Sequence, residues 1–215
     1  MKNRKKHRKK KSPVLLILAF LAVIMIITVC VWILKECDQS TSGQRDMDFS
    51  DELDGQHVPL FLQHDERWGN NRYGDDIISV NGCGPTCLSM VYCYLTGDAS
   101  MDPGRMAAWA EKEGFYVSGV GTSWDLMDLG AKELGIEPYT TSLTSDNIIE
   151  ALTMGHVIIC TVGPGDFTTE GHFIVLAEIN DNGTIKVNDP NSLERSRKEW
   201  NLERIIPQIK QFWIY

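Results

Sequence analysis

The stretch Ser79-Val-Asn-Gly-Cys-Gly-Pro-Thr-Cys-Leu-Ser-Met-Val-Tyr92 puts one cysteine, Cys83, where a nucleophile would sit. It lies between Gly82 and Gly84, with Pro85 two residues on and an apolar pattern of helical period behind it. Proline suits the first turn of a helix, where its missing N–H would have no partner anyway. The spacing predicts a helix that begins at about 84–85, with Cys83 at its mouth. There the unpaired N–H groups and the positive end of the macrodipole favour a thiolate over a thiol. The two glycines leave room for backbone or a substrate to come close. A thiolate used on a carbonyl needs three partners: a base, a group that orients the base, and a donor for the oxyanion.

Histidine is the default base near neutral pH. Beyond residue 56 the chain offers His57, His64, His156 and His172. Only His172 begins an apolar strand directly after a flexible glycine-bearing loop, 162–171, and a strand edge beside a mobile loop is a good mount for a base. His156 also opens a strand, but the neighbouring one, one step from the helix before it. The turn signal Asp181-Asn-Gly183 joins the His172 strand to a second strand over 184–188. Antiparallel pairing of the two brings Asp189 beside His172, where a carboxylate fixes the imidazole tautomer and stabilises its cation. Asn188 and Asn191 are nearby substitutes. Gln63, at the end of the extended segment 58–63, is the candidate oxyanion donor, together with the backbone N–H of Cys83.

The elements that must hold these residues fall in two groups. Helices are expected from about 84 to Leu95, from Pro103 to about Gly114, from about 122 to Leu134, and over 145–154. After that the period changes: 156–162, 172–179 and 184–189 read as strands, 199–209 as a helix interrupted by Pro207, and 211–215 as a last strand. Helices first and an antiparallel sheet afterwards is an α+β arrangement. Trp68, Tyr73, Trp109 and Trp124 read as core or cleft-wall residues, with Trp68 and Trp124 the candidates for lining a groove.

The amino-terminal part sets the location. Residues 1–12 are a nearly unbroken basic run, and 13–35 are apolar over about 22 uncharged residues, enough to cross a bilayer as one helix. No small-x-small cleavage site follows, so an uncleaved signal anchor is expected. Cys30 and Cys37 lack the small residues that precede a lipidated cysteine. The lysine and arginine cluster predicts a cytoplasmic amino terminus and an outer carboxyl-terminal part. Nine of the 21 Lys+Arg precede residue 36 and all 29 Asp+Glu lie from residue 36 onward, which leaves 12 basic against 29 acidic residues, a net charge of −17, for the outer part. That argues against nucleic acid as a partner. Residues 36–56, acidic and poor in large apolar side chains, read as a flexible stalk, and 57–215 as one domain.

Cys87, Cys93 and Cys160 fall in apolar runs and read as buried hydrophobes, although a disulfide among them is compatible with an outer location. No paired spacing of cysteines or histidines calls for a metal, and no cofactor is expected.

The elements Val58-Pro-Leu-Phe-Leu-Gln63, Gly82-Cys-Gly-Pro-Thr86, Gly171-His-Phe-Ile-Val175 and Asn188-Asp-Pro190 resemble, in the same order, those of the C39-like peptidases of the papain-like superfamily. The resemblance spans 57–215. It implies a papain-like cysteine peptidase fold, a helical half packed on an antiparallel sheet, with Cys83 as nucleophile, His172 as base, Asp189 as orienting residue and Gln63 as oxyanion donor. The chain departs from the leader-cutting members, which are cytosolic domains joined to a transporter. The expected protein is thus a membrane-anchored extracellular thiol hydrolase of a bacterium with a single membrane. Its partner is a peptide or protein substrate, including cell-wall material. A non-catalytic peptide-binding module and a thiol acyltransferase are the alternative readings.

Overall fold

The structure, a computed structural model, describes residues 22–26, 28–29 and 53–215. The chain divides into two compact units, Met1–Met47 and Asp48–Tyr215. The basic tail and most of the expected membrane span and stalk lie outside the described residues; 22–26 and 28–29 are helical. Among the described residues, no helix is long and apolar enough to cross a membrane.

The second unit begins irregularly, and Leu53 already packs against its core. A small ribbon pairs β1 (Arg72–Tyr73) with β2 (Asp76–Ile77). It runs into a single helical turn, α1 (Ile78–Asn81), and then α2 (Cys83–Thr96) and α3 (Pro103–Lys112). A second ribbon, β3 (Tyr116–Val117) with β4 (Gly121–Thr122), leads to α4 (Leu129–Glu133) and α5 (Ser145–Thr153). The boundaries follow local chemistry. Gly97 closes α2 in a left-handed conformation (φ 68°) that glycine adopts without strain, and its N–H donates to the Cys93 carbonyl. Asp102 caps α3 by accepting the Arg105 N–H, with Pro103 in the first turn. Thr144 caps α5 by accepting from Asn147.

The chain then forms β5 (Ile158–Val162), β6 (His172–Ile179), β7 (Ile185–Asn188), α6 (Leu193–Arg197), β8 (Glu199–Trp200), α7 (Leu202–Ile205) and β9 (Ile209–Ile214). The five strands make one antiparallel sheet in the order β8-β7-β6-β5-β9. Successive residues of a strand point to opposite faces, and both faces are covered. Ile159, Phe173, Val175 and Trp213 join the core that holds Cys87, Leu88 and Val91 of α2. Ile158, Cys160, Ile174 and Leu176 join a second core with Ile148 and Leu152 of α5 and Trp200. This is why β5 and most of β6 read as continuous apolar runs rather than alternating ones.

Three expectations need correction. The helical turn α1 precedes Cys83, because Ile78 is fully buried and Gly82 donates its N–H back to the Ile78 carbonyl. The helix expected over 122–134 is a 3-10 turn, Trp124–Met127, followed by α4. Ser123 caps it tightly through the Asp125 N–H, and Asp128 (ψ −71°) separates the two segments. The tail 199–209 is not one interrupted helix. Ser192 caps the short α6, and the extended Lys198 lets Glu199–Trp200 join the sheet edge. That puts the Trp200 indole, 2% exposed, against Phe167 at 4.5 Å between ring centroids. Burial of a large aromatic side chain here overrides helical propensity.

Truncating a residue of the second core should cost more than any cap. Ile174→Ala is expected to lower the unfolding free energy by about 2–5 kcal/mol. Met154→Ala, at an exposed position, should stay within about 0.5 kcal/mol. Urea midpoints followed by circular dichroism check both.

Candidate active site

Cys83 is the first residue of α2, with Gly82 as its amino-terminal cap and no acidic residue in the first turn. The two glycines serve packing. A Cβ on Gly84 would lie 2.7 Å from the Thr122 Cγ2, and one on Gly82 would lie 2.5 Å from the Ile78 carbonyl oxygen. The helix mouth is therefore clamped between α1 and β4, where Thr122 is hydrogen-bonded to the buried Tyr73 hydroxyl at 2.9 Å.

His172 opens β6, paired across from Val162 of β5. Its Nε2 donates to the Asp189 Oδ1 at 2.8 Å, and both side chains are buried. That leaves Nδ1 as the ring nitrogen available to the Cys83 sulfur, which acts on the imidazole and shares its cleft. Burial acts to lower the basicity of His172, but the bonds to Asp189 and Cys83 outweigh it and raise its pKa to about 9. Burial likewise acts to raise the Cys83 pKa. The His172 hydrogen bond and charge, with the backbone N–H groups of Phe173 and Gly84, lower it below the ordinary thiol value.

Asp189 is fully buried, and burial alone would favour its neutral form. Its oxygens are nevertheless engaged by charged or polar donors. His172 and the Asn191 N–H (2.8 Å) share Oδ1, and Arg195 Nε donates to Oδ2. Together these hold the carboxyl below the usual carboxylate range. The backbone of Asp189 is fixed too, since its N–H donates to the Ser196 Oγ at 2.9 Å.

The same corner places Gln63. Asn188 Nδ2 donates to the carbonyls of Val58 and Pro59 at 3.0 and 3.1 Å, and the Gln63 N–H donates to the Pro190 carbonyl at 2.7 Å. Asn188 thus anchors the 58–63 segment rather than substituting for Asp189. Gln63 is buried; its Nε2 donates one proton to the Ser79 carbonyl at 2.8 Å, and its Oε1 has no partner.

A cleft of about 550 Å³ contains Cys83 and His172 and is walled by Val80, Val120, Trp124 and Lys210, among others. Trp124, 49% exposed, lines it as expected. Trp68 does not: it is buried, packed edge-on against Phe61 and bonded through Nε1 to the Leu62 carbonyl. The loop before His172, expected to be mobile, is tied down. Phe167 is buried on Trp200, and Asp166 pairs with Arg204 and accepts from Gln208. Of the other candidates, His156 Nδ1 lies 2.8 Å from the Tyr215 carbonyl and His57 pairs with Asp54, both away from this cleft. Residues that sequence reasoning missed are Arg195 and Ser196. Their one signal is the cap Ser192, which starts a helix just beyond Asp189.

Among the described residues, no cluster of His, Cys, Asp or Glu could hold a metal ion. Cys83, Cys87, Cys93 and Cys160 are free thiols. Burial raises the last three, Cys93 to about 12.

A sequence model described as the Peptidase_C39 like family matches residues 56–215, well over half of the chain. The chain belongs to that family of peptidases. A solved structure of a candidate C39-like peptidase from Bacillus anthracis is 16% identical, covering 74% of this chain and 94% of that one with a TM-score of 0.41. That likeness is too slight to carry an argument. No curated protein matches the chain.

Of the four free thiols among the described residues, Cys83 should be the one alkylated by iodoacetamide at neutral pH in the folded protein. Modification at Cys87, Cys93 and Cys160 should appear only on unfolding. Peptide mapping by mass spectrometry reads the selectivity.

Proposed function

We propose that the domain is a cysteine peptidase working through a Cys83–His172–Asp189 triad, anchored in the membrane by 13–35 and acting outside the cell. The observation that carries this reading is a buried carboxylate hydrogen-bonded to an imidazole that shares an open cleft, and interacts electrostatically, with a thiol at a helix mouth.

In the mechanism this implies, the Cys83 thiolate attacks the scissile carbonyl and a tetrahedral oxyanion forms. The second amide proton of Gln63 and the Cys83 N–H are its proposed donors. The imidazolium of His172 gives its proton to the leaving amine, the C–N bond breaks, and a thioester remains on Cys83. The neutral imidazole then takes a proton from water, whose oxygen attacks the thioester; the acid leaves and Cys83 returns as thiolate beside His172 imidazolium. Asp189 keeps the ring oriented throughout and stays ionised. The open cleft fits an extended peptide or isopeptide strand. The apolar walls Val80, Val120 and Trp124 would contact its side chains.

The active form pairs thiolate with imidazolium, which sets the pH response. Rate should fall at acid pH as Cys83 takes up a proton, and at alkaline pH as His172 loses one near pH 9. Hydrolysis of a peptide library by the full chain, followed by mass spectrometry, tests the reading. Cys83→Ala should abolish cleavage, Asp189→Asn should reduce kcat by about 10⁴-fold, and Gln63→Ala by about 10²–10³-fold. Cleavage retained by Cys83→Ala would refute the proposal. Protease treatment of intact cells checks the location: the domain should be released from the outside.

A further inference from the structure

Arg195 has no part in the attack and no place in the cleft lining, yet it is bonded to the carboxylate that holds the base. We infer that Arg195 is a positioning residue of the site: its guanidinium fixes and partly neutralises the second oxygen of Asp189, so that the carboxylate aims His172 while lending it only part of its charge. The inference rests on the triad reading above.

The geometry gives Arg195 little freedom. Its N–H donates to the Ser192 cap at 3.1 Å, its carbonyl accepts the Trp200 Nε1 at 2.9 Å, and its Nε reaches Asp189 Oδ2. The side chain is about a quarter exposed while that of Asp189 is wholly enclosed, with solvent exposures of 28% and 0%. Asp189 therefore has no water to spread its charge; the His172 and Asn191 donors hold it ionised, and the fixed cation on its other oxygen adds to them and offsets part of its charge. The other titratable groups acting on the pair are few. From α2 come Cys83, bonded to His172, and Cys87, which feels the charge of Asp189. From β6 comes His172 itself. On α6, Glu194 and Arg197 are exposed.

A fixed positive charge lowers the proton affinity of every group near it. Removing it should therefore raise the proton affinity of Asp189, His172 and Cys83 together. A purely structural role predicts the opposite for His172. Without its carboxylate in place, the ring would drift down toward the free imidazole value of about 6.5.

Nuclear magnetic resonance titration of the His172 ring in the full chain separates these cases, with the signal assigned by its loss in His172→Gln. It does not depend on peptidase activity, so a chain that cleaves nothing still tests the role of Arg195. In Arg195→Gln the His172 midpoint should rise by about 0.5–1 pH unit. Arg195→Lys, which keeps the charge but not the planar fork, should return it most of the way to wild type. An unchanged or lowered midpoint in Arg195→Gln would overturn the inference. Should Arg195→Gln fail to fold, Arg195→Met judged against Arg195→Lys gives the same comparison.

Discussion

A carboxylate with no access to water is the constraint on which the rest of the site depends. Asp189 stays charged only because His172, Arg195 and the Asn191 N–H all donate to it. The hydrogen bond to His172 then does two things: it fixes which ring nitrogen faces the thiol, and it offsets the burial that would otherwise keep the imidazole neutral. The imidazolium, with the helix mouth and two backbone N–H groups, in turn favours the Cys83 thiolate. Each group's charged form is favoured by its neighbour's charge. Loss of one member is therefore expected to disable the others, as occurs in catalytic groups that act as a unit.

The fold supplies this alignment from segments far apart in sequence. Helix α2 packs on one face of the sheet through Cys87, Leu88 and Val91, which brings its first residue to the carboxyl end of β5 and the start of β6. The end of β7 is a joint: Asn188 ties down the first extended segment, Asp189 accepts from His172, and Pro190 accepts from Gln63. The second core on the opposite face, with Phe167 and Trp200, stiffens the loop that leads into His172.

Much of this was legible in the sequence because it rests on short-range signals. Pro85 and the flanking glycines mark the helix mouth, Asp181-Asn-Gly183 marks the hairpin, and the hairpin links Asp189 to His172. The same signals could not give the register. A bulge between Leu176 and Glu178 shifts the pairing by one residue, so that Val175 faces Asn188 and Asp189 falls diagonal to His172; without it Val175 would face Asp189, one step farther from His172. The side chain still reaches because a diagonal neighbour lies within range of a long or aromatic partner. The break of 122–134 at Asp128 and the strand at Glu199–Trp200 were hidden because tertiary burial decided them, of Leu126 and Met127 in one case and Trp200 in the other. Arg195 carried no signal beyond the Ser192 cap that starts its helix: an arginine on a six-residue spacing from an aspartate is common on any surface.

The acidity of the Cys83 thiol is traced to His172 and, through it, to the carboxylate behind the ring. The ultraviolet absorbance of the thiolate, taken as the difference between the wild-type chain and Cys83→Ser across pH, measures it directly. The thiolate should form below the free-cysteine value of about 8.5, and its formation should shift to higher pH when Asp189 is replaced by Asn. A Cys83 that ionises at or above the free value, or one indifferent to Asp189→Asn, would contradict this.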